Sequence, residues 1–278
     1  MRSKFFAPAS ITCFFAPFLQ DDPLNSGSLG VSITLSKGVR VSVEPSDDLT
    51  IIVNGEKWKF PTVQTIAKEL GFRGKIKIEM DFPAGCGFGM SGASALASAF
   101  AINEALSLNK SFFELADLAH RAEVMNRTGL GDVVTQSFGG VVVRKSAFCP
   151  SKCSIDRFLW NLSLDLLIIG ELPTERILSD LSLNEIARMG RECLKEFLRN
   201  PTVKNLFKQS KVFAVRTGLI DVDSTIADAI EAVESSDGLA SMIMLGRAVF
   251  AVHGEVLKDF KGIYLKIGVD HCGVRMLD

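Results

Sequence analysis

The stretch Asp81-Phe-Pro-Ala-Gly-Cys-Gly-Phe-Gly-Met-Ser-Gly-Ala-Ser-Ala-Leu-Ala-Ser-Ala-Phe100 limits what this chain can fold into more than any other. Just before the glycines, Lys75 to Phe82 alternates apolar and polar residues as a strand does, and Pro83 ends the run. After them, Ala93 to Leu106 carries the small and apolar residues of a buried helix. The order is therefore strand, glycine loop, helix. Glycines at 85, 87 and 89 let the backbone take positive φ with no Cβ in the way, so successive N–H groups can turn toward one ligand. At the start of a helix, those N–H groups and the helix dipole favour a phosphate. A tight turn without a ligand uses the same small residues, and the Gly-x-Gly-x-Gly spacing alone does not separate the two.

Two other phosphate motifs can be tested against the stretch. Gly87-Phe-Gly-Met-Ser-Gly92 matches G-x-G-x-x-G, but the dinucleotide fingerprint needs a second strand ending in an acid about 20 residues on. Ser111 to Glu123 fills that place and reads as a helix, which disfavours a Rossmann site. A P-loop ends in Gly-Lys-Ser/Thr, whereas this loop has no lysine. Phosphate charge must then be met by backbone, helix dipole and a metal ion.

Composition narrows the class. With 278 residues and 47% hydrophobic content the chain can bury one large core or two closely packed halves. A formal net charge of −1, with both signs scattered, leaves no electrostatic footprint for nucleic acid. The cysteines lie in apolar stretches without a framework rhythm and read as reduced thiols; Cys149 and Cys153 lack the second Cys or His pair that a structural zinc site needs. The N-terminal apolar run is interrupted by Pro8, Ser10, Thr12 and Pro17, so it reads as a first strand rather than a leader. No other apolar run reaches the length of a membrane span, and a cytoplasmic location without membrane partners is expected.

Along the chain, a strand over Ile11 to Phe15 is followed by a polar loop from Asp21 to Gly30 that can line a site. Val31 to Leu35, Val39 to Val43 and Leu49 to Val53 read as an antiparallel meander broken at Lys37-Gly38 and Pro45 to Asp48. A helix over Thr62 to Leu70 closes at Gly71. Ser111 with Glu114 three residues on forms a capping box for a helix running to about Asn126. Thr128-Gly-Leu-Gly-Asp132 breaks that helix, a short turn follows through Gln136, and Gly139 to Arg144 reads as a buried strand. Ser146 to Asp156 is the expected hinge, giving an N-terminal domain over 1–150 and a C-terminal α+β domain over 151–278. The second half reads as a strand over Ser163 to Ile169, helices over Leu183 to Leu198, Val203 to Val215 and Thr225 to Val233, then strands over Ala248 to Val252, Gly262 to Ile267 and Gly273 to Leu277. The expected class is α+β, two-lobed, with the active site between the halves.

Pro83-Ala-Gly-Cys-Gly-Phe-Gly-Met-Ser-Gly-Ala93 resembles the second motif of the galactokinase, homoserine kinase, mevalonate kinase and phosphomevalonate kinase (GHMP) superfamily, Pro-x-x-x-Gly-Leu-Gly-Ser-Ser-Ala. Within it, the chain is most similar to the archaeal pantoate kinase type. The resemblance implies ATP as phosphoryl donor, Mg2+ as cofactor and pantoate as the small-molecule acceptor, with a homodimer left open and no nucleic-acid partner. It assigns the nucleotide cradle to Pro83, Gly85, Cys86, Gly87, Phe88, Gly89, Met90, Ser91, Gly92 and Ala93. Ser91 and Glu123 match the positions that hold magnesium, and Asp132 matches the aspartate that contacts the acceptor hydroxyl as base or orienter. Mg2+ commonly takes one or two carboxylates and completes its shell with water and phosphate, so such a sparse set is chemically sufficient. Without the resemblance, Ser91 and Asp132 read equally as helix caps and Glu123 as a solvated helix-end carboxylate.

Three departures mark the chain. The third family motif is expected at Lys266 to Leu277, where Asp270, His271, Gly273 and Arg275 follow the pantoate-type Val-Asp-x-x-Gly-x-Arg pattern rather than a glycine-rich one. The first motif, Ala-Pro-Gly-Lys in many relatives, reads Ala7-Pro8-Ala9-Ser10 and lacks the lysine, as pantoate kinases do. Leu29 stands where an arginine is expected, so the acceptor carboxylate is assigned to another cation, Arg144, Arg121 or Arg275, with Ser28 and Asp270 as further acceptor contacts. Alternatives left open are a different hydroxy-acid or homoserine-like acceptor, and a non-enzymatic nucleotide sensor of the same fold.

Overall fold

The computed structural model describes residues 4–172 and 183–277. It opens with a long antiparallel hairpin of β1 (Lys4–Phe18) and β2 (Gly27–Pro45). Next come β3 (Thr50–Val53), β4 (Glu56–Lys57), α1 (Pro61–Glu69), β5 (Gly74–Met80), α2 (Met90–Ala105), α3 (Phe112–Met125), α4 (Asp132–Phe138), β6 (Val141–Arg144) and β7 (Ile155–Phe158). The remainder comprises β8 (Ser163–Gly170), α5 (Leu183–Arg199), α6 (Val203–Arg216), α7 (Ser224–Ser235), β9 (Leu239–Met242), β10 (Arg247–Val252), β11 (Ile263–Gly268) and β12 (Arg275–Leu277). One sheet has the order β12-β1-β2-β5-β3-β4, with β6 branching from β2 and β7 from β6; the other is β11-β8-β10-β9, antiparallel throughout. The architecture is α+β. No helix among the described residues is long and apolar enough to cross a membrane.

The alanine-rich segment makes α2 the core helix. Eleven of its sixteen residues are buried and the apolar character runs around its circumference, so it must be enclosed on all sides. Its small side chains let β1, β2, α1, α3 and α4 pack against it. Beside it, α3 starts at the expected capping box: Ser111 accepts from the Glu114 N–H, and the Glu114 carboxylate accepts from the Ser111 N–H at 2.8 Å.

Several strand expectations are corrected. The runs at 31–35 and 39–43 belong to one strand, β2, because Lys37-Gly38 is not a turn. Gly38 lies opposite an irregularity in β1 between Pro8 and Ser10, where a Cβ would stand 2.2 Å from the Ala7 carbonyl oxygen; close approach, not reversal, requires the glycine. β3 does not continue a meander: it pairs parallel with β5, beyond β2. The segment Ser146 to Asp156 is no hinge. Cys149 N–H donates to Leu24 O at 3.2 Å, Ser151 N–H donates to Asp117 at 2.9 Å, and β7 pairs with β6 in the first sheet. The boundary at 150 therefore falls between two paired strands of the first sheet, β6 and β7, and β12 returns to pair with β1, so that sheet is built from both ends of the chain.

Candidate active site

β5 ends at Met80, and the loop that follows takes the conformation its glycines allow. Gly85, Gly87 and Gly89 have φ of 77°, 84° and 63°, the alternation that turns successive amides toward one concave face. Gly89 is the N-cap of α2 and has no side-chain cap, so the amides of the first turn stay available to an anion. The loop is pinned from beneath by Phe88, which is buried and stacked on Phe82 at 4.4 Å between centroids. Segments that flank strands of the second sheet also hold it. A Cβ on Gly246, in the β9–β10 turn, would lie 2.2 Å from the Cys86 carbonyl oxygen, and Leu172 N–H donates to Gly85 O at 3.0 Å.

The three side chains that the resemblance singled out converge on this loop. Ser91, in the first turn of α2, donates to Glu123 Oε1 at 2.6 Å, and Thr62 lies 3.2 Å from the same serine hydroxyl. Thr128 donates to the same carboxylate oxygen at 2.7 Å. Both described donors therefore use Oε1, while Oε2 faces Gly129, where a Cβ would stand 2.5 Å away. The backbone of Gly129 leaves that oxygen room, and Asp132 Oδ2 lies 3.4 Å from the same point. Burial pushes the Glu123 carboxyl up to about 7; the hydrogen bonds from Ser91 and Thr128 act against the rise, and nearby Asp132 adds to it.

Asp132 begins α4 directly against the glycine loop: a Cβ on Gly89 would be 3.0 Å from its carboxyl carbon. Ser10 donates to Asp132 Oδ1 at 2.8 Å. Desolvation raises the pKa of Asp132, opposed by the Ser10 hydrogen bond and by the charge of Arg144. Arg144 is 1% exposed and lies beneath Gly131. It donates from Nε to Ser28 O at 2.9 Å and from Nη1 to Ser32 Oγ and Thr135 Oγ1 at 2.8 and 2.7 Å; Nη2 makes only a 3.5 Å contact with Ser28 Oγ. Ser28 is buried between the arginine and Gly131.

Other assignments move. Asp270 accepts from the Cys272 and Gly273 N–H groups and from Arg275 at 2.8 Å, and Arg275 lies over the Phe6 ring. This turn packs on the last turn of α4, at Gln136 and Ser137, the opposite end of the helix from Asp132. Arg121 pairs with Glu69 at 2.7 Å. Asp270, Arg275 and Arg121 thus already have partners in the fold and are not brought to the loop. The C-terminal segment that does meet the loop is Ile243 to Gly246, not Lys266 to Leu277; a single glycine in an apolar run gave little sequence signal of it. Sequence reading also missed Ser10, noted only as the absent lysine's position, together with Thr62, Thr128 and Gln136. The last two sit inside the segment that was singled out for Asp132.

A hard cation fits the oxygen donors offered by Ser91 and the free side of Glu123. Among the described residues no group of three or more His, Cys, Asp or Glu side chains forms a metal cage, so most of the shell of such an ion would come from phosphate and water.

Comparison with known proteins agrees with this geometry. Residues 58–140 match the model of the GHMP kinases N terminal domain, a span that contains the loop, Glu123 and Asp132. The pantoate kinase of Methanocaldococcus jannaschii is 36% identical over 264 residues, covering 91% of this chain and 94% of that protein. That of Thermococcus kodakarensis is 34% identical over 267 residues, covering 91% and 88%. A solved structure described as a phosphotransferase related to the CoA biosynthesis pathway superposes with a TM-score of 0.88 at 30% identity, covering 100% of this chain and 99% of that one. The chain belongs to the pantoate kinase family of the GHMP kinases.

Proposed function

We propose that this enzyme transfers the γ-phosphoryl group of ATP to the 4-hydroxyl of pantoate, giving 4-phosphopantoate and ADP for coenzyme A synthesis. The observation that carries the reading is the meeting of Ser91, Glu123 and Asp132 at the mouth of one glycine-lined helix N-terminus. Phosphoryl transfer asks the protein chiefly for positioning and charge stabilisation, and each part of the site supplies one piece. The amides from Gly85 to Gly92 hold the triphosphate. Ser91 and Glu123 would hold Mg2+, which when bound would neutralise charge on the phosphate oxygens. Asp132 orients the acceptor hydroxyl and takes its proton, late in a loose transition state.

Pantoate brings a carboxylate, which needs a cation. Arg144 is the buried cation nearest Asp132, and among the described residues no carboxylate lies within ion-pair distance of it. Its Nη2 and the Ser28 hydroxyl, under Gly131, are the contacts proposed for the pantoate carboxylate. Asp270 and Arg275 have no part in this scheme, since they neutralise one another.

The test is ADP release, in a coupled assay with Mg2+, across pantoate, homoserine and mevalonate. Pantoate should exceed the others in kcat/KM by about 100-fold or more, because leaving a site's buried polar groups unpaired is costly. Comparable rates for homoserine would move the acceptor assignment elsewhere in the superfamily, and no turnover of any acceptor would favour a nucleotide sensor.

A further inference from the structure

Ser10 occupies an unusual place in β1. The pairing of β1 with β2 shifts register between Pro8 and Ser10, and Ser10, which lies opposite Thr34, donates its N–H not to β2 but to Phe88 O in the glycine loop at 3.0 Å. Its side chain, fully buried, points the same way. Ser10 Oγ is 2.8 Å from Asp132 Oδ1 and 3.1 Å from Gln136 Nε2, and Gln136 Nε2 is also 2.8 Å from Gly89 O. A Cβ on Gly89 would fall 2.6 Å from both Ser10 Oγ and Gln136 Nε2, so the three groups lie against the N-cap of α2.

The hydrogens on this chain of groups can be counted. A carbonyl oxygen only accepts, so the face of Gln136 toward Gly89 must be its NH2 group. That group has two hydrogens; one goes to Gly89 O and the other to Ser10 Oγ. Ser10 then has one hydroxyl hydrogen left, and it points at Asp132 Oδ1. With Oδ1 engaged as an acceptor, Oδ2 is the oxygen that stays open, on the side of Gly129 and Glu123.

We propose that Ser10 and Gln136 are positioning residues that lock Asp132 in one rotamer with Oδ2 presented to the acceptor hydroxyl, and that the Gly89 carbonyl ties this lock to the phosphate loop. The inference rests on the kinase reading above. It gives the serine at the fourth position of Ala7-Pro8-Ala9-Ser10 a role that needs no charge: where a lysine would act on the carboxylate by its field, a neutral donor fixes its direction. Binding of nucleotide at Gly89 and orientation of the acceptor at Asp132 are thereby coupled through one amide side chain.

Three variants test this, with pantoate and ATP saturating in turn. Ser10→Ala should lower kcat by about 10- to 100-fold while KM for each substrate changes by less than about two-fold, the pattern of a misplaced catalytic group. Ser10→Thr, which keeps the hydroxyl, should recover kcat to within about five-fold of the unmodified protein. Gln136→Leu should fall between, since the serine hydroxyl is then free to turn away from Asp132. Melting temperatures close to that of the unmodified protein establish that folding is intact. Wild-type kcat in Ser10→Ala would overturn the inference, as would equal losses in Ser10→Ala and Ser10→Thr at unchanged melting temperature, which would mean packing rather than the hydrogen bond matters. If Ser10→Ala does not fold, Gln136→Leu decides, and wild-type kcat there overturns the inference. Absence of pantoate turnover in the unmodified protein would instead overturn the kinase reading itself, and the inference with it.

Discussion

Replacing Asp132 with alanine is expected to lower turnover by about 10²- to 10⁴-fold and to leave ATP affinity within about two-fold. The asymmetry follows from where the carboxyl lies. It abuts the N-cap glycine of α2 but supplies no donor to a phosphate, and an anion beside the triphosphate adds nothing to ATP binding. Its proposed contribution is to the acceptor. Desolvation raises its pKa and so its basicity, opposed by the Ser10 hydrogen bond and the Arg144 charge. Asp132→Asn is the sharper companion, because it keeps an acceptor for Ser10 and the shape of the site while removing the charge. Initial rates together with calorimetric ATP titrations check both variants. Turnover equal to that of the unmodified protein would remove Asp132 from the mechanism, and a large loss of ATP affinity in a folded variant would move it to the nucleotide site.

Glu123→Gln should separate stability from activity. In the folded, metal-free protein, burial holds the Glu123 carboxyl at about 7, above its ordinary value of 4.5. A carboxyl whose folded pKa is raised stabilises the fold fully below the unfolded value, and that contribution is lost as pH rises through the folded one. Glutamine has no charge to desolvate and can still accept from Ser91 and Thr128 through its carbonyl oxygen. The metal-free variant should therefore match the unmodified protein near pH 4.5 and exceed it by on the order of 3 kcal/mol at pH 8, with the gap opening across the interval between. Thermal melts in chelator at several pH values measure it. In the same variant, turnover with Mg2+ should fall by about 100-fold or more, since the carboxylate proposed to hold magnesium has been removed. A melting temperature at pH 8 below that of the unmodified protein would contradict the desolvation argument, and unchanged turnover would contradict the metal assignment.

The site was legible where its chemistry is local in sequence. The positive φ at Gly85, Gly87 and Gly89 follows from residue type, and the strand, loop and helix around them appear in the expected order. The capping box at Ser111 was equally readable, because its two partners are three residues apart. What could not be read was long-range. Gly38 looks like a turn residue, and only the bulge in β1 facing it shows that it serves a close approach. The polarity of Ser146 to Asp156 suggested a hinge, but those groups are satisfied by Leu24 and Asp117, far away in the chain. Asp270 and Arg275 carried the charges expected near an anionic acceptor, yet they pair with one another in a turn. Ser10 showed the opposite error: it was noted for the lysine it is not, while its hydroxyl is 122 residues from the carboxylate it contacts. Partners of that separation are set by topology, through β1 lying beside α2 and α4.

The central claim, that the acceptor oxygen beside Asp132 is the primary alcohol of pantoate, is tested most directly by phosphorus NMR of a reaction containing the enzyme, ATP, Mg2+ and pantoate. The account predicts a new phosphomonoester signal split by the two protons of a CH2O group, rising in step with ADP. A signal split by a single proton would place the phosphate on the 2-hydroxyl, and ADP formation without any new ester would mean that water, not pantoate, meets the γ-phosphoryl group; either result contradicts the account.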